Sequence, residues 1–297
     1  MLPARAASRY TQSPMIESIC VRVPATSANL GPGFDALGVA LRLSNTVTVR
    51  RAAKVVAPDA MADEAAGAFF AAAKTKSFKF EWSIRGDVPR SRGLGSSVTV
   101  RLGLLHGLNA LARSPLDAEA LYRLCAKLEG HPDNAAPAAF GGFTVARPDG
   151  SYQRFRVGSK LKFVLLIPDY EVRTVDARRV LPKEIPCKDA VRSAANAAAI
   201  AAAFASANYE ALRGCFADFL HQPYRAPLVP GLDKVIAAAE KAGALGGWLS
   251  GSGSTIACAT LGDAGKAAAA MKKAFGSGNV KTVAATADNR GVVVTGG

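Results

Sequence analysis

Apolar and polar residues alternate with a period of two in several short segments, which is the pattern of half-buried β-strands. The clearest example spans 78–85, where three aromatic residues and one isoleucine occupy every second position. Alternation at 19–23 and 43–51 predicts two more strands. Short apolar runs predict the remaining strands, at 143–146, 161–168, 255–260, 280–286 and 292–295. The run at 161–168 is apolar enough for the centre of a sheet.

Other segments repeat apolar residues every three or four positions, which predicts amphipathic helices. One such helix follows Ser96, with Val100, Leu104, Leu108 and Leu111 close to one face. Further helices are predicted at 61–74, 190–207, 209–220 and 232–242.

The segment at 114–117 has the composition of a helix start. Ser114 is the expected N-cap, Pro115 fits the first turn, and Asp117 stands in the capping-box position. Gly130 has the residue type that ends a helix in the left-handed conformation. We therefore predict one helix between these two signals.

The order of the predicted elements indicates the fold class and the domain organisation. Strands and helices are mixed without a regular βαβ alternation, which favours an α+β fold over a doubly wound sheet. A chain of 297 residues suits one large or two medium domains. A change of composition near residue 157 predicts domains at 15–157 and 158–297. Residues 1–14 lack the apolar segment of a secretory signal, so we expect a disordered tail, or a native start at Met15.

The composition excludes several classes of protein. Lys and Arg number 37 against 23 Asp and Glu, which gives a net charge of +14. Such a charge is compatible with a nucleic-acid partner, an anionic surface, a phosphorylated small-molecule ligand or solubility alone. No stretch of about 18 apolar residues occurs, so no membrane span is predicted. The five cysteines are scattered without a C-x-x-C pair, which predicts reduced thiols and a cytoplasmic protein. Three histidines are too few for a His-rich metal site.

Three glycine-rich segments carry the candidate chemistry: PATSANLGPGFD at 24–35, PRSRGLGSSV at 89–98 and LSGSGST at 249–255. In the second, two glycines let the backbone turn with its N–H groups inward, and two serines open a helix whose positive end attracts anions. A triphosphate fits that geometry. Each segment also has a simpler interpretation: a loop with a serine cap, a turn before a strand, or turn positions for Asn29 and Asp35.

Further motifs occur in a fixed order along the chain: PRSRGLGSS at 89–97, EGHPDN at 129–134, FGG at 140–142, Thr174-x-x-x-Arg178, and His221-x-x-Tyr224-Arg225-x-x-Leu228-x-Pro230-Gly231. With the segment at 23–35, this set resembles the GHMP kinase superfamily, and within it the homoserine kinase branch, from Val21 onwards. The resemblance implies two domains, an N-terminal ATP-binding α+β domain and a C-terminal ferredoxin-like α+β domain.

The resemblance also implies the reaction, the phosphorylation of L-homoserine by ATP with Mg²⁺ on the route to threonine, and a homodimer as one option. The residues expected to bind ATP are Pro89, Arg90, Ser91, Arg92, Gly93, Leu94, Gly95, Ser96, Ser97 and Val98. Those expected to bind the metal ion are Ser97 and Glu129. Those expected to act in catalysis are Asn29, Asp35, His131, Asp133 and Thr174. Those expected to bind the substrate are Asn29, Asp35, His131, Arg178 and Arg225, the arginines as partners of its carboxylate.

Two other functions stay open from the sequence. One is a GHMP kinase for another small alcohol, such as a mevalonate-pathway intermediate, against which the arginine pair argues. The other is a basic nucleic-acid-binding protein, which predicts basic and aromatic residues clustered on one face. The basic residues are dispersed instead, so we expect neither a nucleic acid nor a membrane as partner.

Overall fold

The computed structural model describes residues 18–52 and 59–296, which form ten strands in two sheets. The first sheet contains β1 (Ser18–Ala28), β2 (Leu37–Arg51), β3 (Phe80–Gly86), β4 (Phe143–Ala146), β5 (Tyr152–Phe155) and β10 (Val293–Gly296). The second contains β6 (Lys162–Pro168), β7 (Gly246–Leu249), β8 (Ile256–Thr260) and β9 (Val280–Thr286).

Nine α-helices occur in the same part of the chain, and they lie on both sides of the predicted domain boundary. They are α1 (Ala60–Ala73), α2 (Ser96–Leu111), α3 (Ala118–Glu129), α4 (Ala135–Phe140), α5 (Thr174–Arg179), α6 (Cys187–Ala205), α7 (Gln222–Arg225), α8 (Leu232–Lys241) and α9 (Ala264–Phe275). None of these helices combines the length and the apolar character that a membrane span requires.

The first sheet is built around the long strand β2. Its C-terminal part, from Asn45, pairs with β3, and its first three residues pair with β4, so one strand joins two parts of the sheet. The full order is β10-β1-β2-β4-β5, with β3 beside β2. Helices α1, α2 and α3 pack together on this sheet through one apolar core, which includes Phe69, Leu104 and Tyr122.

The second sheet has a ferredoxin-like topology. Its antiparallel order is β7-β8-β6-β9, and the chain runs β6, α8, β7, β8, α9, β9. The helices α8 and α9 pack on each other and on this sheet. This arrangement confirms the α+β class and the ferredoxin-like second half, with the apolar strand β6 in the interior of the sheet as predicted.

The two halves share a core. Leu41 and Phe143 of the first sheet belong to the same buried cluster as Phe163 and Trp248 of the second. The boundary near residue 157 falls between β5 and β6 and stays a prediction, while β10 returns to pair with β1. The prediction for residues 1–14 and Met15 lies outside the described residues.

Two local predictions were wrong. Ser114 does not cap α3, because its φ is +56° and its N–H donates to Asn109 O. The side chain of Asn109 instead holds Leu116 through two hydrogen bonds, and Asp117 caps the helix by accepting from Ala120 N. Gly130 ends α3 in the left-handed conformation, as expected.

The helix predicted at 209–220 is only a 3₁₀ turn, Tyr209–Leu212. The carboxylate of Asp218 accepts hydrogen bonds from the backbone N–H groups of Leu220, His221 and Gln222. These bonds hold the backbone that leads into α7. Gly214, with φ +80°, leaves the helical conformation inside the predicted span, so the 3₁₀ turn does not continue as a helix.

Candidate active site

The three glycine-rich segments meet in the structure. Ser250 Oγ donates to Gly93 O at 2.6 Å, and Gly251 N donates to Ala28 O at 3.2 Å. A cavity of about 620 Å³ opens where they meet, lined by residues of all three segments and of α3, α5 and α7. The glycine-rich segments therefore form one site rather than three separate turns.

The loop before α2 leaves the start of that helix open. Gly95 is the N-cap residue, with φ +68°, and no side chain caps the helix. A Cβ atom on Gly95 would collide with Thr26 Oγ1, and one on Gly93 (φ +71°) would collide with the carbonyl oxygen of Ser250. Glycine is required at both positions by backbone conformation and by close approach. The first N–H groups of α2 have no partner within the helix, which makes this end of the cavity suited to an anion.

The ten residues expected to bind ATP divide into two groups. Seven of them line the cavity: Arg90, Ser91, Arg92, Gly93, Gly95, Ser96 and Ser97. Pro89 is outside the lining, and the side chains of Leu94 and Val98 are buried in the core. Leu94 and Val98 thus anchor the loop, and only their backbone is available to a ligand.

The two expected metal ligands lie side by side. Ser97 Oγ donates to Glu129 Oε2 at 2.8 Å, and Glu129 is the last residue of α3. A hydroxyl and a carboxylate are hard oxygen donors, and Mg²⁺ commonly takes one or two such protein ligands together with substrate phosphates. The donor set therefore fits the ion. The other carboxylate oxygen, Oε1, accepts a hydrogen bond from Arg101 at 2.8 Å.

A second group of polar residues lies beyond the glycine loop. Arg178 pairs with Asp35 through two hydrogen bonds of 2.7 and 3.0 Å. Asn29 Oδ1 accepts from Asp35 N at 3.1 Å, and its Nδ2 donates to Gly251 O at 3.0 Å. Asn29 lines the cavity, but both ends of its amide hold the protein loops together.

Arg225 is buried and firmly held. Its Nε donates to Ala177 O at 3.0 Å and its NH1 to Gly251 O at 3.1 Å, and its guanidinium lies over the ring of Phe34. Burial, reinforced by the charge of Arg178, lowers the pKa of Arg225 to about 10, so it stays charged at neutral pH. Two cationic groups therefore face the same part of the cavity.

His131 and Asp133 form a hydrogen-bonded pair. His131 Nδ1 lies 2.8 Å from Asp133 Oδ1, which also accepts from Asn134 N. Burial alone would lower the pKa of His131, but the hydrogen bond and charge of Asp133, with the charge of Asp35, outweigh it and raise that pKa. Ligand atoms of Asp35, His131 and Asp133 lie within 4.8 Å of one another, although each of these side chains is already paired.

Thr174 also lines the cavity, as the first residue of α5. It precedes Arg178 by four positions, so both side chains lie on one face of that short helix. The structure therefore brings together all the residues expected to act in catalysis or to bind the substrate.

The sequence patterns missed part of the cavity lining. Six lining residues lie outside the motifs described above: Asp59, Ala60, Met61, Trp82, Val100 and Val172. Asn134, Gly251 and Ser252 also line the cavity and belong to those motifs, although no individual role was expected for them. The alternating pattern marks Trp82 only as one position of a half-buried strand, because alternation indicates burial and not which residues or which cavity the side chain meets. Asp59 also caps α1 by accepting from Met61 N and Ala62 N.

Known protein families match both halves of the chain. The GHMP kinases N terminal domain matches residues 51–142, and the GHMP kinases C terminal domain matches residues 193–277. The chain is 37% identical to the homoserine kinase of Halothermothrix orenii, over 93% of this chain and 96% of that protein. It is 41% identical to the homoserine kinase of Clostridium beijerinckii, over 80% and 85% of the two chains.

Solved structures agree with these matches. The homoserine kinase from Cytophaga hutchinsonii superposes with a TM-score of 0.87 at 28% identity, covering 96% of this chain and 99% of that one. A mevalonate kinase, at 14% identity and a TM-score of 0.68, shares the fold alone. The chain belongs to the GHMP kinase superfamily, in the branch of the homoserine kinases.

Proposed function

We propose that this protein is a homoserine kinase, which transfers the γ-phosphoryl group of ATP to the hydroxyl of L-homoserine. The products are ADP and O-phospho-L-homoserine, a precursor of threonine. One observation carries the proposal: a single cavity is lined both by the open start of α2 and by Asp35, Arg178 and Arg225. The first suits a triphosphate, and the second suits an amino acid.

The nucleotide phosphates are proposed to lie on the backbone of 93–98, at the positive end of α2. Arg90 also lines the cavity and adds positive charge nearby, whereas the lining residue Arg92 is paired with Asp169 and Glu171. Apolar groups of Met61, Trp82 and Val100 line the cavity as well and suit the flat base of the nucleotide.

Ser97 and Glu129 are the proposed ligands of Mg²⁺. When bound, the ion neutralises charge on the phosphate oxygens and orients them. The contribution of the protein is the prior alignment of the two oxygen ligands, which are already 2.8 Å apart.

The three polar groups of the amino acid have matching partners. Arg178 and Arg225 are the proposed partners of the carboxylate, because guanidinium groups give permanently charged, two-pronged recognition. Asp35 is the proposed partner of the ammonium. With both ends held, the proposed place of the side-chain hydroxyl is near His131 and Thr174, which line the same cavity.

The proposed chemistry is an in-line displacement. The homoserine oxygen forms a bond to the γ-phosphorus while the bond to the β,γ-bridging oxygen breaks, and ADP leaves with that electron pair. The transition state is loose, so positioning and charge neutralisation supply most of the acceleration. A strong general base is optional for such a transition state. His131 Nε2 is the proposed acceptor of the hydroxyl proton, because Asp133 holds the other ring nitrogen at 2.8 Å.

Release of ADP with different acceptors tests the proposal. Purified protein with Mg·ATP is compared on L-homoserine, L-serine, L-threonine and mevalonate, and we expect the highest kcat/KM with L-homoserine. The control is Glu129→Gln, which keeps the side-chain shape and should lose the activity, so that a contaminating kinase is recognised. No homoserine-dependent turnover would contradict the proposal, and preference for mevalonate would favour the other GHMP kinase function.

A cytoplasmic location, a homodimer and the domain boundary near residue 157 are further proposals, and their support is the resemblance and the composition. Light scattering on the purified protein tests the homodimer, which predicts twice the chain mass of 30.7 kDa.

A further inference from the structure

Arg101 connects three helices beside the metal ligands, and no role is yet assigned to it. It lies on α2, four residues after Ser97, so the two side chains share one helix face. Its NH1 donates to Glu129 Oε1 at 2.8 Å, and its NH2 donates to Glu64 Oε2 of α1 at 2.7 Å. The Arg101 side chain is 14% exposed and that of Glu129 is 8% exposed, so the inner pair is shielded from water.

We propose that Arg101 is a positioning residue for Glu129: it holds Oε1 and leaves Oε2 beside Ser97 as the one carboxylate oxygen offered to Mg²⁺. This inference rests on the proposed function, because it needs the metal-dependent kinase site. The two carboxylate oxygens have different partners, Arg101 for Oε1 and Ser97 for Oε2.

The position of Glu129 explains why its carboxylate needs a partner that fixes its orientation. It ends α3, where the helix dipole repels a carboxylate, and it is followed by Gly130, which ends the helix. Mg²⁺ demands near-ideal octahedral geometry, so a carboxylate free to rotate or to bind through both oxygens is a poorer ligand. The Arg101 guanidinium restricts that rotation.

Arg101 also carries a charge with the same sign as the metal ion. A guanidinium keeps its charge in a protein, and that of Arg101 is paired with both Glu129 and Glu64. It already neutralises Glu129 before the ion arrives. Removal of Arg101 should therefore change two quantities. The affinity for a divalent cation rises, because the loss of a repelling charge outweighs the looser ligand, and kcat falls, because the ligand is less well oriented.

The test separates metal affinity from turnover. Binding of Mn²⁺ in the presence of ADP is measured by electron paramagnetic resonance, which counts free Mn²⁺ and requires no acceptor substrate. For Arg101→Met we expect Mn²⁺ binding tighter by about tenfold or more, because the loss of one repelling charge near a partly buried site changes a binding constant by at least that much. We expect kcat to fall by about tenfold or more, since a loose transition state depends on alignment.

Two further variants keep the test decisive. Arg101→Lys keeps the charge but not the planar fork, so we expect Mn²⁺ affinity close to wild type with a reduced kcat. Glu64→Gln breaks only the ion pair between Arg101 and Glu64, whose carboxylate is 51% exposed. It should change neither the Mn²⁺ affinity nor kcat by more than about twofold. Circular dichroism and Tm confirm folding, and Arg101→Lys carries the test if Arg101→Met does not fold.

The outcomes distinguish this inference from the proposed function. Weaker or unchanged Mn²⁺ binding in Arg101→Met overturns the inference, and so does a Glu64→Gln protein with the same changes as the Arg101 variants. An unaltered kcat in Arg101→Lys also overturns it. If the Mn²⁺ pattern appears but L-homoserine is not phosphorylated, Arg101 still positions Glu129 and the proposed acceptor is the part that fails.

Discussion

Arg178 and Asp35 form a bidentate ion pair, with Arg178 NH2 2.7 Å from Asp35 Oδ1 and Arg178 NH1 3.0 Å from Asp35 Oδ2. The two residues are 143 positions apart, and their side chains are 37% and 33% exposed. If the amino acid binds as proposed, Asp35 accepts hydrogen bonds from its ammonium and Arg178 donates hydrogen bonds to its carboxylate. Binding then exchanges one ion pair for two, and only a ligand with both charges keeps every group paired.

The first prediction concerns analogues that lack one of the two charges. With 4-hydroxybutyrate the Asp35 carboxylate has no ammonium, and with 3-aminopropan-1-ol the arginines have no carboxylate. We expect kcat/KM for each to be about 100-fold or more below that for L-homoserine, because a site built for a polar group rejects analogues without it. Steady-state kinetics measure this. An analogue within tenfold of L-homoserine would show that the charged groups do not select the substrate.

The second prediction separates Arg178 from Arg225. Replacement of either by Ala should raise the KM for homoserine about tenfold to hundredfold and leave that for ATP unchanged, since hydrogen bonds to charged groups contribute about 1.5–3 kcal/mol. Arg225 is buried and bonded to two backbone carbonyls, so Arg225→Ala should also lower Tm, whereas Arg178→Ala should not. Equal losses for both substrates would mean that these arginines act structurally.

The third prediction concerns His221, which supports Arg225. His221 Nε2 donates to Gly31 O at 2.8 Å, and its Nδ1 accepts from Arg225 NH1 at 3.3 Å, so the neutral ring is required. Burial, reinforced by the charge of Arg225, lowers the pKa of His221, which outweighs the opposite effect of Asp218. Below pH about 6.5 the His221 ring therefore binds a proton in the unfolded chain more readily than in the folded chain. The free energy of unfolding consequently falls as the pH falls.

Chemical unfolding between pH 5 and pH 8 checks this prediction. His221→Gln keeps a hydrogen-bonding side chain without the titration, so the loss of unfolding free energy from pH 7.5 to pH 5.5 should be smaller than in the wild type. His106, whose pKa burial lowers to about 4, adds a slope of the same sign in both proteins. Identical pH dependence of the unfolding free energy in the two proteins would contradict a neutral His221 that supports Arg225.

The fourth prediction concerns the proton acceptor. The pKa of His131 is raised, so the neutral ring that can accept the hydroxyl proton becomes the major form only above pH about 6.5. We expect kcat to rise with pH through that region and the slope to disappear in His131→Asn, with a loss of about 100-fold at pH 8. The same slope in the variant would show that solvent takes the proton.

The sequence predicted the parts of the site that backbone chemistry dictates. Gly93 and Gly95 are needed because no side chain fits there, so their spacing reports the loop directly. Trp82 and Arg101 were missed, because periodicity marks buried faces and does not tell which cavity or which neighbouring helix a side chain meets. The prediction for Ser114 was wrong for a related reason. The Asn109 side chain, seven residues from Leu116, hydrogen-bonds the backbone of Leu116 and so determines where α3 begins.

Phosphorus NMR of the complete reaction tests the central claim most directly. The protein is incubated with Mg·ATP and L-homoserine, and the phosphomonoester of O-phospho-L-homoserine is followed together with ADP. We predict that the two appear in equal amounts and that inorganic phosphate stays at the level of the sample without acceptor. ADP formed only with inorganic phosphate, or a phosphoester formed from mevalonate and not from L-homoserine, would contradict the account.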